Sequence, residues 1–250
     1  MSIGIIIVGN EVLSGSRHDA NTPCFIELLK RKNLELSFLL TVPDRIECIE
    51  KSLLFLANEV DFLVVSGGLG LTPDDVTLNA VSRATGINLV YNPHKEDVVK
   101  SNLSNYPNSK YNLYIKRLSI GLENSNPIPN SCGIAAGEHF VFKGCTIFVL
   151  PGVPEEFQRM LENYVLDCLP AGIPRETVSY RTTAKESELI DFLENVEKEY
   201  RVKTSSYPPV LGEKLLKVGF EGQDDELKQV CFLFEKFLKA KNLFFEKVSS

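Results

Sequence analysis

The chain has 250 residues, of which 44% are hydrophobic and 24% charged, so it can form one large globular domain or a domain with a small companion. Its 33 acidic and 27 basic residues give a net charge of −6, which argues against a nucleic-acid-binding surface and against attraction to an anionic membrane. No apolar run approaches the roughly 18 residues of a membrane helix. The six cysteines form no CxxC pair and there are only three histidines, which argues against a zinc site. The scattered cysteines favour a reduced, cytoplasmic compartment.

Strand-like and helix-like segments alternate through the first part of the chain. The continuous apolar run Ile3–Val8 predicts a strand that is covered on both faces. Strands that alternate with helices indicate βαβ units, so we expect an α/β fold with three layers and a mostly parallel sheet. The other strands are predicted at 34–42, in VDFLVVSGG, at 140–142 and at 145–150, and the helices at 22–32, 45–58, 75–85, 92–103 and 154–168. The segment SNYPNSKYNLY (104–114) is turn-rich and polar.

The order of the elements changes after LPAGIPRE, whose proline and glycine content is typical of a linker. Beyond it, the predicted order is strand 177–183, helix 186–199, strands 202–207 and 215–221, and helix 225–240. This βαββα order predicts a small α+β domain of the ferredoxin-like type. We therefore expect a first domain at 1–168, a linker at 169–175, a second domain at 176–240 and a tail at 241–250.

Three glycines, Gly67, Gly68 and Gly70, follow the third predicted strand in VSGGLGLTPDD. Glycines at this place let a ligand approach the backbone, and free N–H groups at the next helix start can bind phosphate. In an open α/β sheet, ligands bind at the carboxyl ends of the strands, where this loop should lie. The adjacent acids Asp74 and Asp75 would repel a bare phosphate, so their useful role there is through a divalent metal.

The same stretch also has a purely structural interpretation. Thr72, Pro73 and Asp75 fit a capping box, with Thr72 as the N-cap, Pro73 at the first helical position and Asp75 at the third. On spacing alone the two interpretations are nearly balanced, and the extra Asp74 and the third glycine favour the ligand site.

Polar residues also follow the first two predicted strands. Asn10 and Glu11 come directly after the first strand, and Asp19 lies shortly before the next helix. Asp44 follows the second strand. Taken singly, Asp19 and Asp44 are more typical of helix caps. Because the carboxyl ends of parallel strands share one edge, their convergence favours a ligand site with a metal.

A fourth strand end at this edge is followed by the segment LPGVPEE, after the predicted strand at 145–150. Gly152 can bring the backbone close to a ligand. Glu155 and Glu156 fall in the first turn of the next predicted helix, where carboxylates suit the helix dipole, so we interpret these two as structural.

Together, VGNEVLSG, DANT, GGLGLTPDDVT and LPGVPEEF, in this order, resemble the molybdopterin-binding-type domain of molybdenum-cofactor proteins and of the competence/damage-inducible protein family. The chain is also similar to the N-terminal module of animal-type FAD synthases. That likeness continues through TTAKESELIDFLE and SSYPPVLGEKLLKVGF in the second predicted domain. The separate nucleotide-transferring domain of such synthases has no counterpart in this sequence.

This resemblance implies a metal-dependent nucleotide pyrophosphatase, a hydrolase that cleaves the diphosphate of FAD or of ADP-ribose-like dinucleotides. It implies Co²⁺ or Mg²⁺ together with K⁺ as cofactors, and a nucleotide or pterin as the small-molecule ligand. Asp44 and Asp75 are then the catalytic residues. The expected phosphate-binding residues are Gly67, Gly68, Gly70, Thr72, Asn10 and Gly152, and the expected metal ligands are Asp75, Asp74, Glu11 and Asp19.

Two alternatives remain open. The chain could be a module that binds molybdopterin or a flavin nucleotide without turning it over, because Asn10 and Leu71 depart from the residues usual in the family. It could also be a dimerisation domain derived from FAD synthase. We expect a homo-oligomer, either a dimer or a trimer.

Overall fold

The computed structural model describes residues 1–104, 114–209 and 214–248. Most of the turn-rich segment expected at 104–114 therefore lies outside the described residues. The chain divides into two compact units, Met1–Gly172 and Ile173–Ser250. Among the described residues, no helix is both long enough and apolar enough to cross a membrane.

A six-stranded mixed sheet forms the centre of the first unit. The strands of this unit are β1 (Ile3–Val8), β2 (Phe38–Val42), β3 (Phe62–Ser66), β4 (Leu89–Tyr91), β5 (Ile120–Leu122), β6 (Asn126–Ile128), β7 (Gly137–Phe142) and β8 (Cys145–Leu150). The central sheet has the order β2-β1-β3-β8-β7-β6, in which β2, β1, β3 and β8 are parallel and β7 pairs antiparallel with both β8 and β6. β4 and β5 pair with each other in a separate two-stranded sheet. The prediction of an α/β fold is confirmed.

Helices cover both faces of this sheet. They are α1 (Asn10–Leu13), α2 (Asn21–Arg31), α3 (Ile46–Glu59), α4 (Thr77–Thr85), α5 (Pro93–Leu103), α6 (Ile115–Leu118), α7 (Pro154–Met160) and α8 (Leu166–Cys168). A π-helical turn, Leu161–Val165, joins α7 to α8. The helix expected at 75–85 begins only at Thr77, because 72–75 form a separate turn.

The side chains of β1 point alternately to the two faces of the sheet, and both faces are buried under helices. Ile6 and Val8 join a buried cluster with α3 and α4, whereas Ile3, Ile5 and Ile7 point into a second buried cluster with α2 and α7. Successive side chains of a strand point to opposite faces, so a strand that is apolar at every position needs cover on both.

The antiparallel end of the sheet starts with a tight hairpin. Lys143 and Gly144 both have positive φ, 51° and 85°, as a two-residue turn between twisted strands requires. Strand β7 of this hairpin carries Glu138, which forms an ion pair with Lys95 of α5. Both side chains are almost fully buried. Ser125 donates a further hydrogen bond to Glu138. The short strands β4, β5 and β6 are not anticipated by the sequence, because they lie in a region rich in turn residues.

The second unit contains β9 (Glu176–Thr182), α9 (Glu186–Glu199), β10 (Lys203–Tyr207), β11 (Leu216–Gly222), α10 (Asp224–Ala240) and β12 (Phe245–Val248). Its strands form an antiparallel sheet in the order β10-β11-β9-β12. The segment at 241–250 is thus not only a tail, because β12 pairs with β9 and Phe245 packs against the buried cluster of this unit. With β12 the order of elements becomes βαββαβ, and the ferredoxin-like assignment stays a prediction.

Candidate functional site

Four loops share one edge of the first unit, because they follow the carboxyl ends of the parallel strands β1, β2, β3 and β8. This is the edge at which open α/β sheets bind ligands. All of the sequence-predicted site residues lie in these loops or at the start of the helices that follow them.

The glycine loop packs tightly against its own protein. Gly67 and Gly68 have φ of 113° and 69°, a region that favours glycine. A Cβ on Gly67 would lie 2.3 Å from the carbonyl oxygen of Val8, and one on Gly152 would lie 3.2 Å from the Cα of Gly67. The predicted phosphate-binding residues Gly67, Gly68 and Gly152 are therefore brought together, with the end of β1 beside them.

Asp75 closes a turn within the same loop. Its Oδ2 accepts hydrogen bonds from the backbone N–H of Thr72, at 2.8 Å, and from the Thr72 hydroxyl. A Cβ on Gly70 would lie 2.5 Å from the same oxygen. The capping-box prediction is wrong in its details, because α4 starts at Thr77 with Val76 as its N-cap and no side-chain cap. The reciprocal hydrogen bond between Asp75 and Thr72 nevertheless forms.

Asp74 lies beside this turn with an exposed side chain. The nearby Thr72 side chain, and after it the backbone N–H of Asp74 itself, lower the pKa of the Asp74 carboxyl below its ordinary value. Asp74 is therefore anionic at neutral pH and accessible from solvent.

Asp44 joins the second loop to the first. Its Oδ2 accepts a hydrogen bond from the backbone N–H of Asn10 at 2.7 Å, and the N–H of Gly9 bonds to the carbonyl of Val42 at 3.0 Å. The carboxylate of Glu11 folds back so far that a Cβ on Gly9 would lie 2.9 Å from both of its oxygens. Asn10, Glu11 and Asp44 therefore form one group at the end of β1.

Asp19 and Asn21 have distinct roles at the start of α2. Asp19 Oδ1 accepts hydrogen bonds from the backbone N–H groups of Asn21 and Thr22, at 2.9 and 3.0 Å, so Asp19 caps this helix. The amide of Asn21 instead reaches across the edge, where Nδ2 donates to Ser66 Oγ at 2.8 Å and to the carbonyl of Gly152 at 3.0 Å. Asn21 thus links α2 to the ends of β3 and β8.

Three further polar residues of this edge were not assigned to the site by sequence reasoning. Asn130 donates a hydrogen bond from Nδ2 to Glu156 at 2.6 Å; Asn130 is fully buried and Glu156 is partly buried. Burial raises the pKa of the Glu156 carboxyl, more than the Asn130 hydrogen bond lowers it. Ser66 is fully buried at the end of β3. The sequence could have indicated Ser66 as a site residue, because it is the polar last residue of an otherwise apolar strand.

The predicted metal ligands do not converge on one point. Among the residues that the structure describes, no group of three or more His, Cys, Asp or Glu side chains is arranged to hold a metal ion. The hydrogen bonds of the edge use Oδ1 of Asp19 and Oδ2 of Asp44 and Asp75. Mg²⁺ is commonly held by one or two carboxylates and completed by phosphate oxygens and water. The assignment of these acids as metal ligands therefore stays a prediction.

The sheet order and the glycine loop at its carboxyl edge define an α/β domain with a polar ligand edge. Residues 4–171 match the protein family described as "Probable molybdopterin binding domain". Because this match spans about two thirds of the chain, the protein belongs to the molybdopterin-binding-domain family.

Individual relatives agree with this assignment. A protein of Pyrococcus furiosus is 31% identical to the chain, over 97% of this chain and 98% of its own length. A CinA-like protein of Geobacter sulfurreducens is 36% identical over 66% of this chain, which corresponds to 40% of that longer protein. The crystal structure of the protein CinA from Thermoplasma acidophilum superimposes with a TM-score of 0.60 at 26% identity, covering 67% of this chain and 98% of that one.

Proposed function

We propose that the first unit binds a pterin or nucleotide through its phosphate at the carboxyl edge of the sheet. The observation that carries this proposal is the close approach of Gly67, Gly152 and the end of β1 at the carboxyl edge, which is where open α/β sheets bind ligands. Membership in the molybdopterin-binding-domain family supports the same class of ligand.

We further propose that the bound ligand is hydrolysed, so that the chain is a nucleotide pyrophosphatase that acts on FAD or an ADP-ribose-like dinucleotide. Asp44 and Asp75 are the proposed catalytic residues, since each is oriented by a backbone N–H at this edge. A divalent metal, with K⁺, would supply neutralisation of the diphosphate and a lower pKa for the attacking water. The resemblance to the FAD synthase module supports the choice of FAD.

The proposal is tested by incubating the purified chain with FAD and, separately, with ADP-ribose. Each reaction contains K⁺ and either Co²⁺ or Mg²⁺, and the products are separated by chromatography. We expect AMP with FMN from the first substrate and AMP with ribose 5-phosphate from the second. Asp75→Ala should abolish the products, while Asp167→Ala, which removes a carboxylate from α8 outside the edge, should leave them unchanged.

The alternatives predict different results. A shift of the melting temperature by FAD without any product would make the chain a binding module. Neither a shift nor a product would leave a dimerisation domain as the surviving alternative. Sedimentation analysis then tests the proposed dimer or trimer. A reduced, cytoplasmic location is part of the same proposal.

A further inference from the structure

One buried acceptor at the carboxyl edge has no partner. Asn21 is only 6% exposed, and its Nδ2 donates to Ser66 Oγ and to the Gly152 carbonyl. A carbonyl oxygen can only accept, so the amide cannot be turned the other way round. Its Oδ1 has no hydrogen-bond partner among the residues that the structure describes. Buried polar atoms are nearly always paired, so this oxygen, like the neighbouring Thr22 hydroxyl, is a place where a group from outside the chain can bind.

Asn21 lines a small cavity of about 30 Å³. The cavity lies between the end of β1, the segment 17–21 and Gly152. A water molecule needs roughly 10–15 Å³ of such space, so the cavity admits two or three atoms of that size and no ring. Only the tip of a larger ligand can enter it.

Arg17 stands at the rim of the same cavity. Its side chain is exposed, and no ion pair to it occurs within the described ranges. The edge also carries the acids Glu11, Asp19 and Asp44, which do not attract a phosphate. A guanidinium is the protein group best suited to a phosphate, because it donates two parallel hydrogen bonds and keeps its charge at every physiological pH.

We propose that Arg17 and Asn21 together select a phosphate ester that also carries a hydroxyl group, the chemistry of a sugar phosphate. Arg17 binds the phosphate, and Asn21 Oδ1 accepts the hydrogen bond of the hydroxyl that enters the cavity. This inference rests on the proposed binding function and deepens it. It assigns a specificity role to Arg17, which neither the family membership nor the acids of the edge require.

The competing explanation is that a structural water occupies the cavity and that Arg17 is merely solvated. The two explanations differ in what they predict for the ligand. A water bound to Asn21 would make the affinity independent of any hydroxyl on the ligand. A solvated arginine would make the affinity independent of the residue at position 17.

The test is isothermal titration calorimetry of the whole chain with four probes: AMP, 2′,3′-dideoxy-AMP, ribose 5-phosphate and inorganic phosphate. We expect Arg17→Ala to weaken AMP binding by about tenfold, the usual scale for a charge-assisted hydrogen bond, and Arg17→Lys to weaken it less. Arg117→Ala removes the same charge from an exposed position on α6 and should leave the affinity unchanged. Loss of the two hydroxyls from AMP should also weaken binding, without any change to the protein.

Each outcome decides one point. Ribose 5-phosphate that binds as tightly as AMP identifies a free sugar phosphate as sufficient, and tighter binding of AMP identifies a nucleotide. If AMP binds the parent chain and Arg17→Ala with equal affinity, the inference is wrong while the binding function stands. Equal affinity for AMP and its dideoxy form overturns the role of Asn21. A parent chain that binds none of the four probes, and is not shifted in melting by FAD, contradicts the proposed function itself.

Discussion

Gly68 and Thr77 lie so close that a Cβ on the glycine would be 2.2 Å from the Thr77 hydroxyl oxygen. That hydroxyl donates a hydrogen bond to the carbonyl of Gly67 at 2.8 Å. The glycine loop and the first residue of α4 therefore form one packed unit. The position of the loop depends on this contact as much as on the strand that precedes it.

The first prediction separates backbone strain from crowding at Gly68. Gly68 and Gly86 have nearly the same φ, 69° and 73°, but only Gly86 has open space where a Cβ would be. Gly86→Ala should lower the free energy of unfolding by about 1 kcal/mol through φ alone. Gly68→Ala should cost about 1–3 kcal/mol more, because the methyl group must displace Thr77. Urea denaturation of both variants measures the difference, and equal costs would contradict the packing described here.

The second prediction concerns the hydroxyl of Thr77. Thr77→Val keeps the shape of the side chain but removes the donor to Gly67, and should cost about 1–3 kcal/mol because the buried carbonyl loses its partner. Thr77→Ser should retain most of the stability. Thr85→Val is the comparison, since that half-buried hydroxyl donates to Val81 in its own helix and accepts from the N–H of Ile87, and its loss should cost less than that of the Thr77 hydroxyl. A Thr77→Val chain as stable as the parent in thermal unfolding would show that water replaces the hydroxyl.

The third prediction addresses the buried ion pair of Lys95 and Glu138. Lys95→Met should cost about 3–5 kcal/mol, because it leaves the Glu138 carboxylate buried without its cation. Replacing both, as Lys95→Met with Glu138→Gln, should recover part of that loss. The exposed pair Lys198 and Glu194 gives the reference, and its double-mutant cycle should yield about 0.3–0.5 kcal/mol. A similarly small coupling for the buried pair would contradict the prediction.

The fourth prediction is a dependence of stability on pH through Glu156. Because burial raises its pKa, the native state holds this proton more tightly than the unfolded chain does. The resulting stability is fully present below the ordinary pKa of a glutamate and is lost as the pH rises through the raised value. The difference in free energy of unfolding between Glu156→Gln and the parent should therefore shift in favour of the variant as the pH rises from acidic to neutral.

Urea denaturation at a series of pH values checks this. Glu27→Gln, at an exposed carboxylate of α2, controls for the loss of one negative charge. A difference between Glu156→Gln and the parent that stays constant across the series would show that burial does not raise the pKa of Glu156.

The sequence predicts the elements with strong periodicity and misses those whose existence depends on distant partners. The apolar run of β1 and the spacing of α3 are local signals, and both elements are found where expected. Strand β12 carries no such signal, because it becomes a strand only by pairing with β9. The loops of the edge were placed correctly, yet the contact of Asn21 with Gly152 joins residues far apart in the chain and has no local pattern.

The order of the strands has a consequence for how the molecule is made. β1, β2 and β3 are complete when synthesis reaches Ser66, but β8, which lies beside β3, begins only at Cys145. A nascent chain can therefore assemble half of the sheet and its glycine loop early. The carbonyl of Gly152, which holds the Asn21 amide, arrives much later, after a loop closure that is slow because it is long. The proposed binding edge is therefore complete only after residue 152 has been made, so a ligand that binds there would stabilise the finished sheet and not its early half.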